Sequence, residues 1–512
     1  MATELPKRDR RRFLRDSALA TIGLAGVTGQ QSGRASVALQ ERGARSTAGS
    51  KSLSRQFAEW VVRLRYEDLP AAVVDRAKGL TLQNISSALL GAQLPAGRQA
   101  INFITEEESG ITNGATILVT GARVTKGGAA FVNSELMLAG GKWDTFRMLT
   151  HPGTAIIPGA LAAAESQQAS GRDFITAIAA GYEVMERMAA DWIPTVMARG
   201  FHAGPVFGIF GAAIAAAKIG GLDAGQIHGT IAQCVNLASG NLEGIRSGGK
   251  SLREGGAVRN ALLAVAMARN GTPGGETVLE GEAGFYHAYT GNNAGKLTYS
   301  FTADNKAGLD KITADLGKSW MFLETLYRIY STAGYNIAHV DVTAKLCEEH
   351  GIKAEDVDRI EAVVNWLETE YPSPAFPVRS RAPGVGSTHY YSAYGVVQRG
   401  FPLVKFVEHG YGPADPPAVL ELMNRVTIVP SHRHTLFGPT VTIHLKDGRS
   451  VTKAGTGREF IWDFDEEVRR IREIVPGIPI PEAQYEELIA ACRKLDGLDK
   501  AAKLIALTVV KR

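Results

Sequence analysis

The feature that most constrains this chain is a change of texture near Thr298. Before it, apolar residues recur at helical spacing. Phe57, Trp60, Val61 and Leu64 fall at i, i+3, i+4 and i+7. Asp68 and Pro70 signal a second helix start, with Val73, Val74, Ala77, Leu80 and Ile85 on its buried side. Further helices are predicted over 156–168, 174–192, 206–219, 224–237 and 257–270, with little strand signal between them. After Thr298 the pattern mixes. Strands are predicted over 320–329, 357–367 and 426–429, and 440–445 and 450–453 flank the hairpin signal Asp447-Gly448. Helices over 338–350, 391–398 and 418–424 interleave with them, and the tail from Asp463 is helical again. The pattern predicts a mainly α fold: a large all-helical domain from 50–304 and 463–512, and a smaller α+β domain over 305–462.

With 512 residues the chain is too long for one compact core, which agrees with two domains. A hydrophobic content of 45% with 21% charged residues reads as soluble and globular. Much of the formal charge of +4 sits at the extreme N-terminus, so bulk charge makes no case for nucleic-acid binding. That terminus reads as a targeting signal over residues 1–40. Asp9-Arg10-Arg11-Arg12-Phe13-Leu14-Arg15 matches the twin-arginine export pattern, a short apolar stretch runs from Ala18 to Val27, and Ser36-Val37-Ala38 offers a small-residue cleavage site. The expectation is a periplasmic or otherwise exported protein. The apolar run from Ile209 to Ala217 is too short to span a bilayer and ends at Lys218, so no integral membrane protein is expected. Cys234, Cys347 and Cys492 are far apart and odd in number, which suits buried hydrophobes better than a disulfide or zinc framework.

Three segments concentrate chemistry. The first runs Lys142-Trp143-Asp144-Thr145-Phe146-Arg147, then Thr150-His151-Pro152-Gly153. His is suited to proton exchange near neutral pH, and Pro with Gly sets a turn ahead of the next helix. The segment reads either as a proton-transfer centre or as a capping loop with a structural His. The second is Arg199-Gly200-Phe201-His202-Ala203-Gly204, where free amides at a helix start favour an anionic ligand group. The plainer reading is again a structural His. The third is Gly248-Gly249-Lys250-Ser251-Leu252-Arg253. It lacks the spacing of a phosphate loop, and its Lys and Arg suit a carboxylate or an ordinary solvated turn. Tyr327-Arg328 and Thr388-His389-Tyr390-Tyr391 are further polar-aromatic patches. HExxH, CxxC and GxSxG patterns are absent.

Taken together these segments resemble the MmgE/PrpD family, whose members include 2-methylcitrate dehydratase, cis-aconitate decarboxylase and iminodisuccinate epimerase. The resemblance runs through Leu69-Pro70, His151-Pro152-Gly153, Gly181-Tyr182-Glu183-Val184, Arg199–His202, Val278-Leu279-Glu280-Gly281 with Gly284-Phe285-Tyr286, and the Leu445–Gly448 hairpin. It implies a helical domain with a smaller α+β lid, a homodimer, no metal or other cofactor, and a small carboxylate substrate. The catalytic groups it implies are Thr145, His151, His202, Lys250 and Tyr391, with Tyr390 the neighbouring option. Asp144 joins them as an orienting group, and Arg147, Arg253 and Arg328 as carboxylate binders. Gly141 stands where the family's first motif begins with Asp, Arg328 where its lid carries Lys, and Gln83 where a helix carries Asp. These departures predict a less acidic pocket and a substrate other than the family's tricarboxylates. The expected activity is dehydration or hydration by His-based acid/base catalysis, with epimerisation or decarboxylation on the same scaffold as alternatives. The rival class is a non-catalytic exported carboxylate-binding protein.

Overall fold

Helices carry the chain from Leu53 to Thr290. They are α1 Leu53–Arg63, α2 Ala71–Gly91, α3 Pro95–Glu108, α4 Lys126–Gly140, α5 Pro152–Gln167, α6 Gly171–Ala189, α7 Ile193–Ala198, α8 Ala203–Ile219, α9 Ala224–Leu237, α10 Arg253–Arg269 and α11 Phe285–Thr290. The computed structural model describes residues 51–148, 150–245, 253–302, 304–328, 330, 332–369, 383–401 and 415–511. The twin-arginine segment and Lys250 lie outside these residues, and so does the side chain of Arg253. Local chemistry sets several helix starts. Ser170 and Asp173 close a reciprocal capping box on α6, and Asp223 and Gln226 do the same on α9. Helix α9 spans the predicted residues. Helices α5, α6, α8 and α10 each begin about one turn before the apolar period does, because their first turns are built of small, polar or proline residues.

Helix α8 is buried from Ala203 to Ala217 and packs against α5, α6, α9 and α10. A helix that is apolar on every side belongs inside a bundle. No described helix is long and apolar enough to cross a membrane. Helix α2 forms the other spine. It contacts α4 and two helices of the tail, Phe464–Ile471 and Glu482–Arg493.

The mixed region contributes α12 Gly334–His350, α13 Thr388–Gln398 and α14 Pro417–Leu422, and the tail continues with α15 Phe464–Ile471, α16 Glu482–Arg493 and α17 Lys503–Ala506. Three short strands lie among the first helices or pair with them: β1 Ala115–Thr116, β2 Arg123–Val124 and β3 Trp143–Thr145. Strand β4 is Leu326–Arg328, the only described part of the predicted 320–329 strand to form one, since Met321–Glu324 is a 3-10 turn. Strands β5 Val357–Asn365, β6 Val426–Ser431, β7 Thr440–Leu445 and β8 Ser450–Ala454 form one sheet in the order β6-β5-β7-β8. The β5–β6 pair is parallel and the others antiparallel. Gly448 takes φ +90° in the β7–β8 turn, as the Asp-Gly signal predicts. Alternation in β7 buries Val441, Ile443 and Leu445 against α12 and α13.

The protein is mainly helical, and Leu53–Arg512 forms one compact unit. Two apolar cores lie within it. The larger unites the helical region with the tail and takes in Ile312, Phe322, Tyr327 and Ile337. The smaller lies between the four-stranded sheet and α12–α14, from Val342 to Leu445. All three cysteines are buried and unbridged.

Candidate active site

Strand β3 holds the residues that the sequence marks first. Its register with β4 sets Trp143 opposite Arg328, Asp144 opposite Tyr327 and Thr145 opposite Leu326. Helix α4 ends at Gly141, which takes φ +75° as a left-handed cap. That backbone conformation suits glycine at this position. Lys142 then points inward, fully buried, with Nζ 3.2 Å from Glu473 of the tail. Burial lowers its pKa, and Glu473 opposes that shift.

Asp144 is fully buried. Its carboxylate accepts the Gly153 amide at 3.0 and 2.9 Å and the Tyr182 hydroxyl at 2.5 Å. His151 occupies the N-cap position of α5 but gives no side-chain cap. Asp144 supplies one from β3, placing negative charge at the positive end of the helix. Burial raises the Asp144 pKa to about 6, while the bonds from Tyr182 and Gly153 draw it down. The Asp144 carbonyl oxygen lies 2.9 Å from His151 Nδ1, and the Thr145 hydroxyl lies 3.5 Å from the same atom. The carbonyl contact is a hydrogen bond and the hydroxyl contact is at the outer limit of one. A carbonyl only accepts, so Nδ1 carries the proton and the neutral ring has its lone pair on Nε2. The His151 ring stacks on Trp143 at 4.4 Å and 6°, and the Arg328 guanidinium lies 4.9 Å from the centre of the Trp143 ring.

His202 is the N-cap of α8, and its Nδ1 accepts the Gly204 amide at 3.1 Å. An accepting Nδ1 puts the proton of the neutral ring on Nε2. The two histidines therefore hold opposite tautomers. Buried Glu254, at the start of α10, lies 3.8 Å from His202 Nδ1, beyond hydrogen-bond reach.

Helix packing brings these termini to one end of the bundle. A methyl group on Gly208 would meet Ala155, and one on Gly159 would meet Ala212. Both pairs are 53 positions apart (208 − 155, 212 − 159), so α5 and α8 run parallel and His151 stands level with Gly204, beside His202. Helix α10 starts at the same end, since Glu254 abuts Gly204 and Val258 abuts Gly159. The Gly255 amide of α10 is capped by buried Glu135 at 2.8 Å. The three helix N-termini thus meet at one end, with Asp144 on α5 and Glu135 on α10 already capping two of them.

The other predicted residues divide. Arg328 joins the Trp143–His151 stack, and Thr145 lies beside it. Tyr391 is half-buried on α13, in edge contact with Tyr390. The first turn of α13 is tied to α12 by Thr388 donating to Asn336 at 3.0 Å, and α12 begins at Gly334, where an added methyl would lie 3.6 Å from Thr145. Tyr390 is committed to the smaller core and donates to Asp415 at 2.7 Å. Arg147 pairs with Glu324 at 2.6 Å. Gln83 is fully buried, and both polar atoms of its amide lack a hydrogen-bond partner among the described residues. Lys250 and the Arg253 side chain lie outside the described residues. Among the described residues no group of three or more His, Cys, Asp or Glu is arranged to hold a metal ion. Sequence reasoning missed Tyr182 as a site residue, although Gly181-Tyr182-Glu183-Val184 stood among the family segments. It also missed Glu254 and the stacking role of Trp143.

Comparison with known proteins bears on the family of the chain. Residues 55–298 match the MmgE/PrpD N-terminal domain. A cis-aconitate decarboxylase-like protein, oryM, of Aspergillus oryzae is 26% identical over 429 residues, covering 78% of this chain and 85% of its own. A cis-aconitate decarboxylase of Aspergillus terreus is 26% identical over 426 residues, covering 78% and 84%. The Homo sapiens cis-aconitate decarboxylase is 28% identical over 290 residues, covering 53% and 58%. Residues 55–298 thus carry an MmgE/PrpD N-terminal domain, and this match together with the relatives supports the MmgE/PrpD family for the chain.

Proposed function

We propose that this protein is a lyase that cleaves a bond beta to a carboxylate in a small organic acid, with His151 Nε2 as the proton-exchanging atom. The observation that carries the reading is the Asp144 carbonyl bond to His151 Nδ1, at the end of the bundle where three helices begin. In decarboxylation, the carbon–carbon bond to one carboxylate breaks and carbon dioxide leaves. The electron pair passes into the conjugated acid as an enolate-like carbanion, and protonated His151 delivers its Nε2 proton to carbon. In dehydration, neutral His151 takes the α-proton through Nε2, the carbon–oxygen bond at the β-carbon breaks, and the leaving hydroxyl departs as water with the proton of the Tyr391 hydroxyl. Decarboxylation is the first reaction to test, because the relatives carry that name. Dehydration is the second, favoured by the lone pair that the neutral tautomer places on Nε2.

His202 has a different role in this scheme. Its Nδ1 already accepts an amide, so the neutral ring donates from Nε2 and stabilises the developing negative charge. Arg328 draws the carboxylates, and Lys250, Arg253 and Tyr391 are the further candidates for this role. The α+β region over 305–462 acts as the lid, the protein works as a homodimer, and its twin-arginine segment sends it to the periplasm. Cell fractionation of the wild type and of a variant with both Arg10 and Arg11 replaced by Lys tests the last point.

The functional test is incubation of the full chain with cis-aconitate and with a panel of hydroxy-di- and tricarboxylates in deuterated buffer, followed by proton NMR and carbon dioxide release. Turnover with deuterium incorporated at carbon is expected. His151→Gln should lower it by about 10²-fold or more. A folded protein that binds these acids but neither turns over nor exchanges any of them would favour the carboxylate-binding reading.

A further inference from the structure

Asp144 touches His151 in two ways. Its carbonyl oxygen bonds the imidazole directly, and its carboxylate bonds the amide of Gly153, two residues after His151. One residue therefore clamps the histidine from the ring side and from the chain side. The carboxylate itself is fully buried, and its described partners are Gly153 and Tyr182. The Asp144 carboxylate is thus committed to groups of the chain itself. What fixes its orientation comes from a different element.

Tyr182 is that partner. It sits in the middle of α6, fully buried, and reaches across to β3 with its hydroxyl 2.5 Å from Asp144 Oδ2. Its ring is fixed from the side by Phe322, 4.4 Å away. The same hydroxyl lies 2.6 Å from where a methyl group on Gly153 would stand, and the Asn84 amide closes the other side. The Tyr182 hydroxyl, the Asp144 carboxylate and the Gly153 amide therefore pack into one buried cluster. Removing the hydroxyl leaves the carboxylate with one donor group instead of two, in surroundings where a buried charge needs its hydrogen bonds.

We propose that Tyr182 is a positioning residue: its hydroxyl holds Asp144 so that the Asp144 carbonyl keeps His151 in the Nδ1–H tautomer. The catalytic consequence rests on the reading of His151 as the proton-exchanging group, but the structural claim does not. Tyr182 touches no reacting atom. It acts through Asp144, and its loss is felt in the state of a ring it never contacts.

The test is Tyr182→Phe in the full chain with ¹⁵N-labelled histidine, the His151 resonances being assigned by their loss in His151→Gln. Wild-type His151 is expected to show the Nδ1–H tautomer as its dominant neutral form. In Tyr182→Phe the Nε2–H form should grow to a comparable population, while His202 keeps its wild-type pattern. Tyr286→Phe is the control. It also removes a fully buried hydroxyl, one that donates to the Met188 carbonyl at 3.0 Å, and it should leave the His151 signals unmoved. If Tyr182→Phe does not fold, Asp144→Asn gives the same readout. Where turnover is measurable, Tyr182→Phe should lower kcat roughly 10- to 100-fold, with KM within about twofold. An unchanged His151 tautomer in a folded Tyr182→Phe protein overturns the proposal, as does an equal change in Tyr286→Phe. A shifted tautomer in a protein that turns over no acid leaves the positioning role standing and refutes the lyase reading.

Discussion

Replacing Gly153 by alanine tests the clamp around His151 against the local preference of the chain. Position 153 lies in the first turn of α5, where helix propensity alone favours alanine by about 0.5–1 kcal/mol. The packing opposes it. An alanine methyl would stand 2.6 Å from the Tyr182 hydroxyl and closer still to Asn84 Nδ2, well inside ordinary contact. Relieving such an overlap costs about 1–3 kcal/mol. One of the groups that must yield, the Tyr182 hydroxyl, is bonded to Asp144, and losing one hydrogen bond to a buried carboxylate costs about 1.5–3 kcal/mol more. The net is a destabilisation of about 3 kcal/mol, opposite in sign to propensity. Gly256 is the matched control. It lies in α10 with none of the described residues near its would-be methyl, so Gly256→Ala should be neutral or slightly stabilising. Thermal unfolding of both variants decides the matter. If Gly153→Ala melts at or above Gly256→Ala, the tight clamp around Gly153 does not exist.

Three further outcomes are expected. Burial raises the Asp144 pKa from 3.8 to about 6, so the folded state holds more protons than the unfolded one between these values, and stability should fall as pH rises through that window. The effect is worth about 3 kcal/mol, and it should be absent when denaturation of Asp144→Asn is followed over the same range. Arg328→Leu should raise KM for a carboxylate substrate by about tenfold or more in steady-state kinetics, with a smaller effect on kcat; an unchanged KM would remove Arg328 from carboxylate binding. Cys234, Cys347 and Cys492 are buried and their thiols are pushed up by burial, so a thiol reagent should label none of them until denaturant is added.

The sequence showed the helical region plainly, because the apolar faces of α5, α6, α8 and α9 repeat at helical spacing and α9 is bounded by its own capping box. It showed the β7–β8 hairpin for a similar reason, since Asp447-Gly448 fixes the turn locally. The parallel β5–β6 pair was not legible. Its two strands are separated by α13 and α14, and no local residue states which strands will meet. The same limit governs the site. His151 and His202 announce themselves as histidines ahead of helices, but the direction of each ring is set elsewhere. Lys142 and Asp144 look like pocket residues in the sequence and are both core residues. One is turned inward by Glu473, 331 positions away, and the other by Tyr182, 38 positions away. Arg328 reaches the site only through the β3–β4 register, which no spacing predicts.

The pairing of the tail with the site has a consequence for how the molecule is made. Lys142 meets Glu473, the Ser86 and Tyr485 hydroxyls join at 2.8 Å, and the Phe464 amide bonds Asp75. A ribosome that has just released Tyr391 has already produced every candidate catalytic group, yet α2 still lacks the helices that cover it. A nascent or truncated protein ending before Asp463 would carry a full set of reactive side chains on an unfinished scaffold. Completion of the core around α2 is therefore a late event in synthesis.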